Sequence, residues 1–116
     1  MVEIVIDTNI FLSIFELKVD FLTQIQEKYG RHIVTLQHVV DELAIKGTNG
    51  RMALDLIAKR NIKIIEYRPE LPADDALLHF CTEKQAILAT QDATLAKRGQ
   101  HKHLKILRIR QRGIVM

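Results

Sequence analysis

Ile4-Val5-Ile6-Asp7-Thr8-Asn9 is a short apolar run that stops on a carboxylate followed by two small polar residues. An unbroken apolar run with polar residues at its end reads as a buried strand. The pattern returns at Ala86-Ile87-Leu88-Ala89-Thr90-Gln91-Asp92, where a second buried strand runs out just before an aspartate. A short helix follows in each case, over about residues 9–15 and 93–98. Two strands that end alike are best explained as parallel neighbours in one sheet. Ligands of such sheets bind beyond the carboxyl ends of the strands, where strand order reverses.

The residues between the two runs keep the alternation going. Asp20 opens a helix on which Leu22, Ile25 and Tyr29 share a face, and Gly30 stops it. His32 to Thr35 reads as a strand. Leu36, Val40 and Leu43 recur at helical spacing, with Gly47 as the stop, and Thr48 is placed to cap the helix that carries Ala53, Leu54, Ile57 and Ala58. Ile62 to Ile65 is another strand. Pro69 and Pro72 mark a loop, a helix begins near Ala73, and Leu104 to Ile109 closes the chain as a last strand. Apolar strands with helical crossovers predict an α/β fold: a three-layer α/β/α sandwich around a central parallel sheet, with residues 1–116 as a single domain.

Asp7 and Asp92 then fall on the same edge of that sheet. Each could simply cap the helix after it. Further acids stand at helix starts, Asp41-Glu42 and Asp74-Asp75. Leu77, Leu78 and Cys81 follow Asp74 at three, four and seven positions, so Asp74 is in phase with the buried stripe of its helix and Asp75 with a wetter one. Phase does not separate Asp41 from Glu42. Carboxylates gathered without counter-ions repel and must take up protons, a conflict that a divalent cation removes. Oxygen ligands alone select hard ions, Mg2+ or Mn2+, the ions of phosphodiester hydrolysis. Thr8, Asn9 and Thr90 are placed to orient carboxylates or water.

Taken together, Ile4 to Asn9, Val40-Asp41-Glu42-Leu43, Asp74-Asp75 and Ala89 to Asp92 resemble, in order and spacing, the four acidic motifs of the PIN-domain ribonucleases. The likeness covers nearly the whole chain. The stretch Ile106 to Gly113 is most similar to small archaeal PIN proteins related to rRNA-processing nucleases; the toxins of toxin–antitoxin pairs are the neighbouring branch. The resemblance implies a PIN-like sandwich and a Mg- or Mn-dependent endoribonuclease acting in RNA processing, or a toxin with the same chemistry. It implies Asp7, Glu42, one of Asp74 and Asp75, and Asp92 as metal ligands, with Asn9 and Thr90 in support. Expected partners are RNA, a second copy in a homodimer, and an antitoxin protein on the toxin branch.

Composition agrees with a folded domain, at 47% hydrophobic residues. No run of about 18 apolar residues suggests a membrane span, and the apolar start is too short for a signal peptide. The one cysteine, Cys81, excludes an internal disulfide and a cysteine-rich zinc site and fits a reducing, cytoplasmic setting. Its place on a buried stripe makes it core rather than nucleophile. The histidines form no ligand pair on a helix face.

Charge is unevenly spread. All 14 acids lie at or before Asp92, while Lys97, Arg98, Lys102, Lys105, Arg108, Arg110 and Arg112 follow without one. Of these, Lys97, Arg98, Arg108, Arg110 and Arg112 are the candidate RNA contacts. Two other classes compete with a nuclease. A phosphotransfer domain of the haloacid-dehalogenase type would need a second aspartate where Asn9 stands. A PIN fold that grips RNA or a protein without cutting it would keep the basic tail and need none of the acids.

Overall fold

The computed structural model describes residues 2–30 and 32–116. Its strands are β1 (Ile4–Ile6), β2 (Ile33–Leu36), β3 (Lys63–Ile65), β4 (Ile87–Ala89), β5 (Ile106–Arg110) and β6 (Gly113–Val115). Its helices are α1 (Thr8–Leu17), α2 (Phe21–Tyr29), α3 (Gln37–Leu43), α4 (Gly47–Lys59), α5 (Ala73–Lys84) and α6 (Ala93–His101). The sheet order is β3-β2-β1-β4-β5-β6. All pairings from β3 to β5 are parallel, and β6 turns back antiparallel on β5. This is the expected α/β/α arrangement with one antiparallel strand added at its edge. Among the described residues, no helix is long and apolar enough to cross a membrane.

Strand order reverses between β1 and β4. From β1 the chain steps outward through β2 to β3, and it then returns to the far side of β1 to lay down β4 and β5. The seam is dry: Val5, Ile6, Leu88 and Ala89 have no exposed surface, and Ile4 has 1%. Each buried aliphatic side chain there contributes about 1.5–3 kcal/mol relative to exposure. The register sets Ile6 opposite Ala89. The next residues, Asp7 and Thr90, therefore leave the sheet side by side at its carboxyl edge.

Several element ends differ from those expected. Helix α1 runs on to Leu17 because its stop is Lys18 in the left-handed conformation (φ 56°), not a glycine. Leu36 belongs to β2 and not to α3, which ends at Leu43. Gly47 does not close α3; at φ 68° it opens α4, and Thr48 lies inside that helix instead of capping it. Gly50 explains the tight joint: a Cβ there would lie 2.0 Å from the Leu43 carbonyl oxygen. Helix α6 extends to His101, and the strand expected from Leu104 begins at Ile106.

The missed strand, β6, follows a two-residue turn. Arg110 pairs with Gly113, and the turn residues Gln111 (φ 51°) and Arg112 (φ 66°) both take positive φ. That is a type I′ hairpin, usually signalled by Asn-Gly. Helix α2 packs against β6, with the Gln24 amide donating to the Arg112 carbonyl at 3.2 Å and Lys28 to that of Ile114 at 3.3 Å.

Candidate active site

At the seam, Asp7 is only 7% exposed and Thr90 is fully buried. The Asp7 carboxylate accepts the Thr8 N–H at Oδ1 and the Thr90 hydroxyl at Oδ2, both at 2.7 Å. Two hydrogen bonds hold the group ionised, yet desolvation outweighs them and lifts its pKa from 3.8 to about 6. Asp74 and Glu42 push in the same direction through their charge. The Ile6 carbonyl beside it is held by the buried Thr35 hydroxyl at 2.7 Å. Sequence reading passed over Thr35 because a threonine in a strand gives no sign of which neighbour it bonds.

Asp92 is both a helix cap and a part of this edge. Its N–H donates to the Thr90 hydroxyl oxygen at 3.1 Å, and its Oδ1 accepts the Leu95 N–H at 3.0 Å. Thr90 thus links the two aspartates. Asn9 Oδ1 accepts the Gln91 N–H at 2.9 Å, tying the loop after β4 to the first turn of α1. Gln91 was overlooked in the sequence. Its side-chain amide bonds both backbone groups of Ile109, accepting the N–H at 2.6 Å and donating to the carbonyl at 3.2 Å. The side chain acts as one further strand residue beside β5. The Thr8 hydroxyl is buried without a hydrogen-bond partner among the described residues.

The paired acids at 74–75 separate cleanly. Asp75 turns outward to Arg98, N–O 2.6 Å. Asp74 is raised above its ordinary pKa by desolvation and by the charges of Asp92, Glu42 and Asp75, against a lowering from Arg98. Glu42 acts on both Asp7 and Asp74, while neighbouring Asp41 is exposed and accepts the Gln37 amide at 2.9 Å. So Asp74 and Glu42 act on Asp7, and Asp92, Glu42 and Asp75 act on Asp74, while Asp41 and Asp75 each have a hydrogen-bond partner of their own.

The donor set is all oxygen and suits Mg2+ or Mn2+ over softer ions. Its excess negative charge, with Asp7 pushed towards neutrality, is the imbalance that a cation corrects. Among the described residues, however, no three Asp, Glu, His or Cys side chains are gathered into a ready-made shell. The acids share a field, not a closed cage.

Of the basic residues, Arg98 is committed to Asp75 and Lys97 is exposed on α6. Arg108 and Arg110 lie on β5 and Arg112 at the hairpin turn. Cys81 is buried, its thiol pushed up to about 12 by desolvation and the Glu3 charge, so it is core and unreactive.

Comparison with known proteins agrees with this fold. A family model described as a PIN like domain matches residues 4–112. Ribonuclease VapC4 of Methanocaldococcus jannaschii is 29% identical over 124 aligned residues, spanning 97% of this chain and 93% of that protein. The solved structure of the PIN domain endonuclease Utp24 superposes with a TM-score of 0.83 at 20% identity, covering 97% of this chain and 88% of that one. A domain of a functionally unknown protein, also from M. jannaschii, superposes at 0.65 and 17% identity, over 95% and 92% of the two chains. At these identities the two solved structures speak for the fold alone.

Proposed function

The chain belongs to the PIN-like domain family, and from that membership we propose that it is a divalent-metal-dependent endoribonuclease working at the β1/β4 seam. The observation that carries the reading is Asp7: a buried carboxylate at a strand-order reversal, raised to about pH 6 by desolvation while Asp74 and Glu42 press on it. Asp7 caps α1 through the Thr8 N–H, but among the described residues no base pairs with it, and the charges that act on it are those of Asp74 and Glu42.

Asp7, Asp74 and Asp92 would hold the ion, with Glu42 holding a second or positioning water; Asp75, paired with Arg98, stands by as an outer acid. When bound, Mg2+ or Mn2+ supplies the charge that activates an attacking water and offsets the charge on the leaving oxygen. Thr90 and the Thr8 N–H fix the rotamer of Asp7, so its oxygens keep their direction as the substrate enters. Asn9 fixes the loop that carries Asp92. Arg108, Arg110, Arg112 and Lys97 would grip flanking phosphates, with Arg98 contributing from its pair with Asp75.

Single-stranded and structured RNAs incubated with Mn2+ or Mg2+ should be cut, and Asp7→Asn should abolish cutting. RNA binding indifferent to metal, with no cleavage, would instead identify a silent binding domain. RNA processing is the setting we favour, on the likeness of the basic hairpin sequence to processing-related PIN proteins. The toxin setting draws on the likeness to VapC4. Growth arrest on expression, relieved by a co-expressed antitoxin, would decide for the toxin; unimpaired growth decides for processing.

A further inference from the structure

Beyond the carboxyl ends of β2 and β3 lies a cleft of about 360 Å³, walled by Gln37, His38, Asp41, Glu66, Tyr67 and Pro69. The strand register creates it. Leu36 pairs with Ile65, so Gln37 and Glu66 leave the sheet level with each other, on the same edge as Asp7. The wall residue His38 connects the cleft to two of the acids. His38 and Glu42 are one turn apart on α3 and share a flank. His38 also reaches the Leu71 carbonyl at 3.1 Å, just ahead of Asp74.

Its walls have a definite chemistry. The Tyr67 ring stands edge-on to Phe80, centroids 5.2 Å apart at 82°, and its hydroxyl donates to Glu83 at 2.7 Å, so the ring is fixed in place. Pro69 adds a second apolar surface. The polar groups include two carboxylates. The Leu71 carbonyl can only accept, so His38 Nε2 donates to it, and Nδ1 is buried and unpartnered among the described residues. The carboxylates are those of Asp41 and Glu66, and the Gln37 amide gives one of its two N–H groups to Asp41.

A cleft with two carboxylates between apolar walls repels phosphate and welcomes a flat group with adjacent N–H donors. Unstacked RNA bases are bound by aromatic contact and by hydrogen bonds to their Watson–Crick edge. Guanine alone presents N1–H and N2–H2 side by side, the match for one carboxylate. Uracil shows a single N–H between carbonyls, and adenine and cytosine set an acceptor beside their amino group. We propose that this cleft is a nucleobase subsite that takes a guanine of single-stranded RNA beside the scissile phosphate. The proposal rests on the ribonuclease reading for the identity of its substrate.

The test separates binding from cutting. The 15N-labelled protein is titrated in EDTA with guanosine, adenosine, cytidine and uridine, and the amide resonances of Gln37, Asp41 and Tyr67 are followed. Guanosine should shift them at the lowest concentration. Asp41→Asn, a change at an exposed position, should weaken guanosine roughly tenfold and leave the other nucleosides unchanged. Tyr67→Leu should weaken all four. Equal responses to the four nucleosides, no response in the cleft, or guanosine binding untouched by Asp41→Asn would overturn the subsite. If the protein cuts no RNA, the titration still decides the matter, and only the nuclease reading falls. If it cuts, mapped ends should be enriched in guanine for the wild type and lose that enrichment in Asp41→Asn; an unenriched wild type would also overturn it.

Discussion

The Thr90 hydroxyl donates to Asp7 Oδ2 at 2.7 Å while its oxygen accepts the Asp92 N–H at 3.1 Å, so one buried side chain sets the geometry of both strand-end aspartates. Thr90→Val keeps the shape and removes both bonds. The pKa of Asp7, already about 6, is expected to rise further, since Thr90 is the strongest influence lowering it. The variant should lose about 1–3 kcal/mol near neutral pH, read by urea denaturation. The acid limb of its cleavage rate should move to higher pH.

Asp7 itself should make the metal-free protein less stable at neutral pH. Its folded pKa of about 6 lies above the ordinary 3.8, so between those values the native state binds more protons than the unfolded chain. Stability therefore falls as pH rises from about 4 to 6, by roughly 3 kcal/mol for this group. Asp7→Asn should remove that slope. In EDTA, the variant is expected to melt several degrees above wild type at pH 7.5 and to lose most of that margin at pH 4. Equal margins at both pH values would contradict the burial argument.

The doubled acid at 74–75 gives an asymmetric pair of variants. Asp75 is half-exposed and pairs with Arg98, so Asp75→Asn should change stability by at most about 1 kcal/mol and cleavage by a few-fold. Asp74→Asn should cost cleavage by orders of magnitude and abolish the thermal stabilisation by Mn2+. A reversed order would move the ligand role to Asp75.

The hairpin turn sets stability against binding. Gln111 and Arg112 both occupy left-handed backbone, which costs a residue with a side chain roughly 1–2 kcal/mol. Gln111→Asn with Arg112→Gly should therefore raise the melting temperature. The same double variant should weaken RNA binding and flatten its dependence on salt by about 0.7 in log–log slope, the loss of one phosphate contact. Adding Arg108→Gln and Arg110→Gln should flatten it further.

Periodicity revealed the strands and helices wherever apolar residues recur, and Asp7, Asp74 and Asp92 stood out because each follows a strand or opens a helix; Asp41 and Glu42, expected at a helix start, lie near the end of α3, and Glu42 was set apart from Asp41 only by the family resemblance. Phase alone turned Asp74 inward. What stayed hidden depends on backbone conformations that need no marker residue. Lys18 and Gln85 end helices in the left-handed region, and Gln111-Arg112 makes a tight turn without Asn-Gly. Thr35 and Gln91 act through bonds to strands distant in sequence, which only the register brings alongside.

The seam between β1 and β4 also orders events during synthesis. Strand β1 is made first, pairs with β2 early, and keeps its other edge bare until residues 87–89 leave the ribosome. At about 5–20 residues per second, that edge stays open for seconds, long enough for a neighbouring nascent chain to dock there. The same delay withholds Asp92 until β4 has been made. A chain cut short before β4 would carry Asp7 with neither Thr90 to hold it nor Asp92 beside it, so truncated products of translation would lack the candidate site.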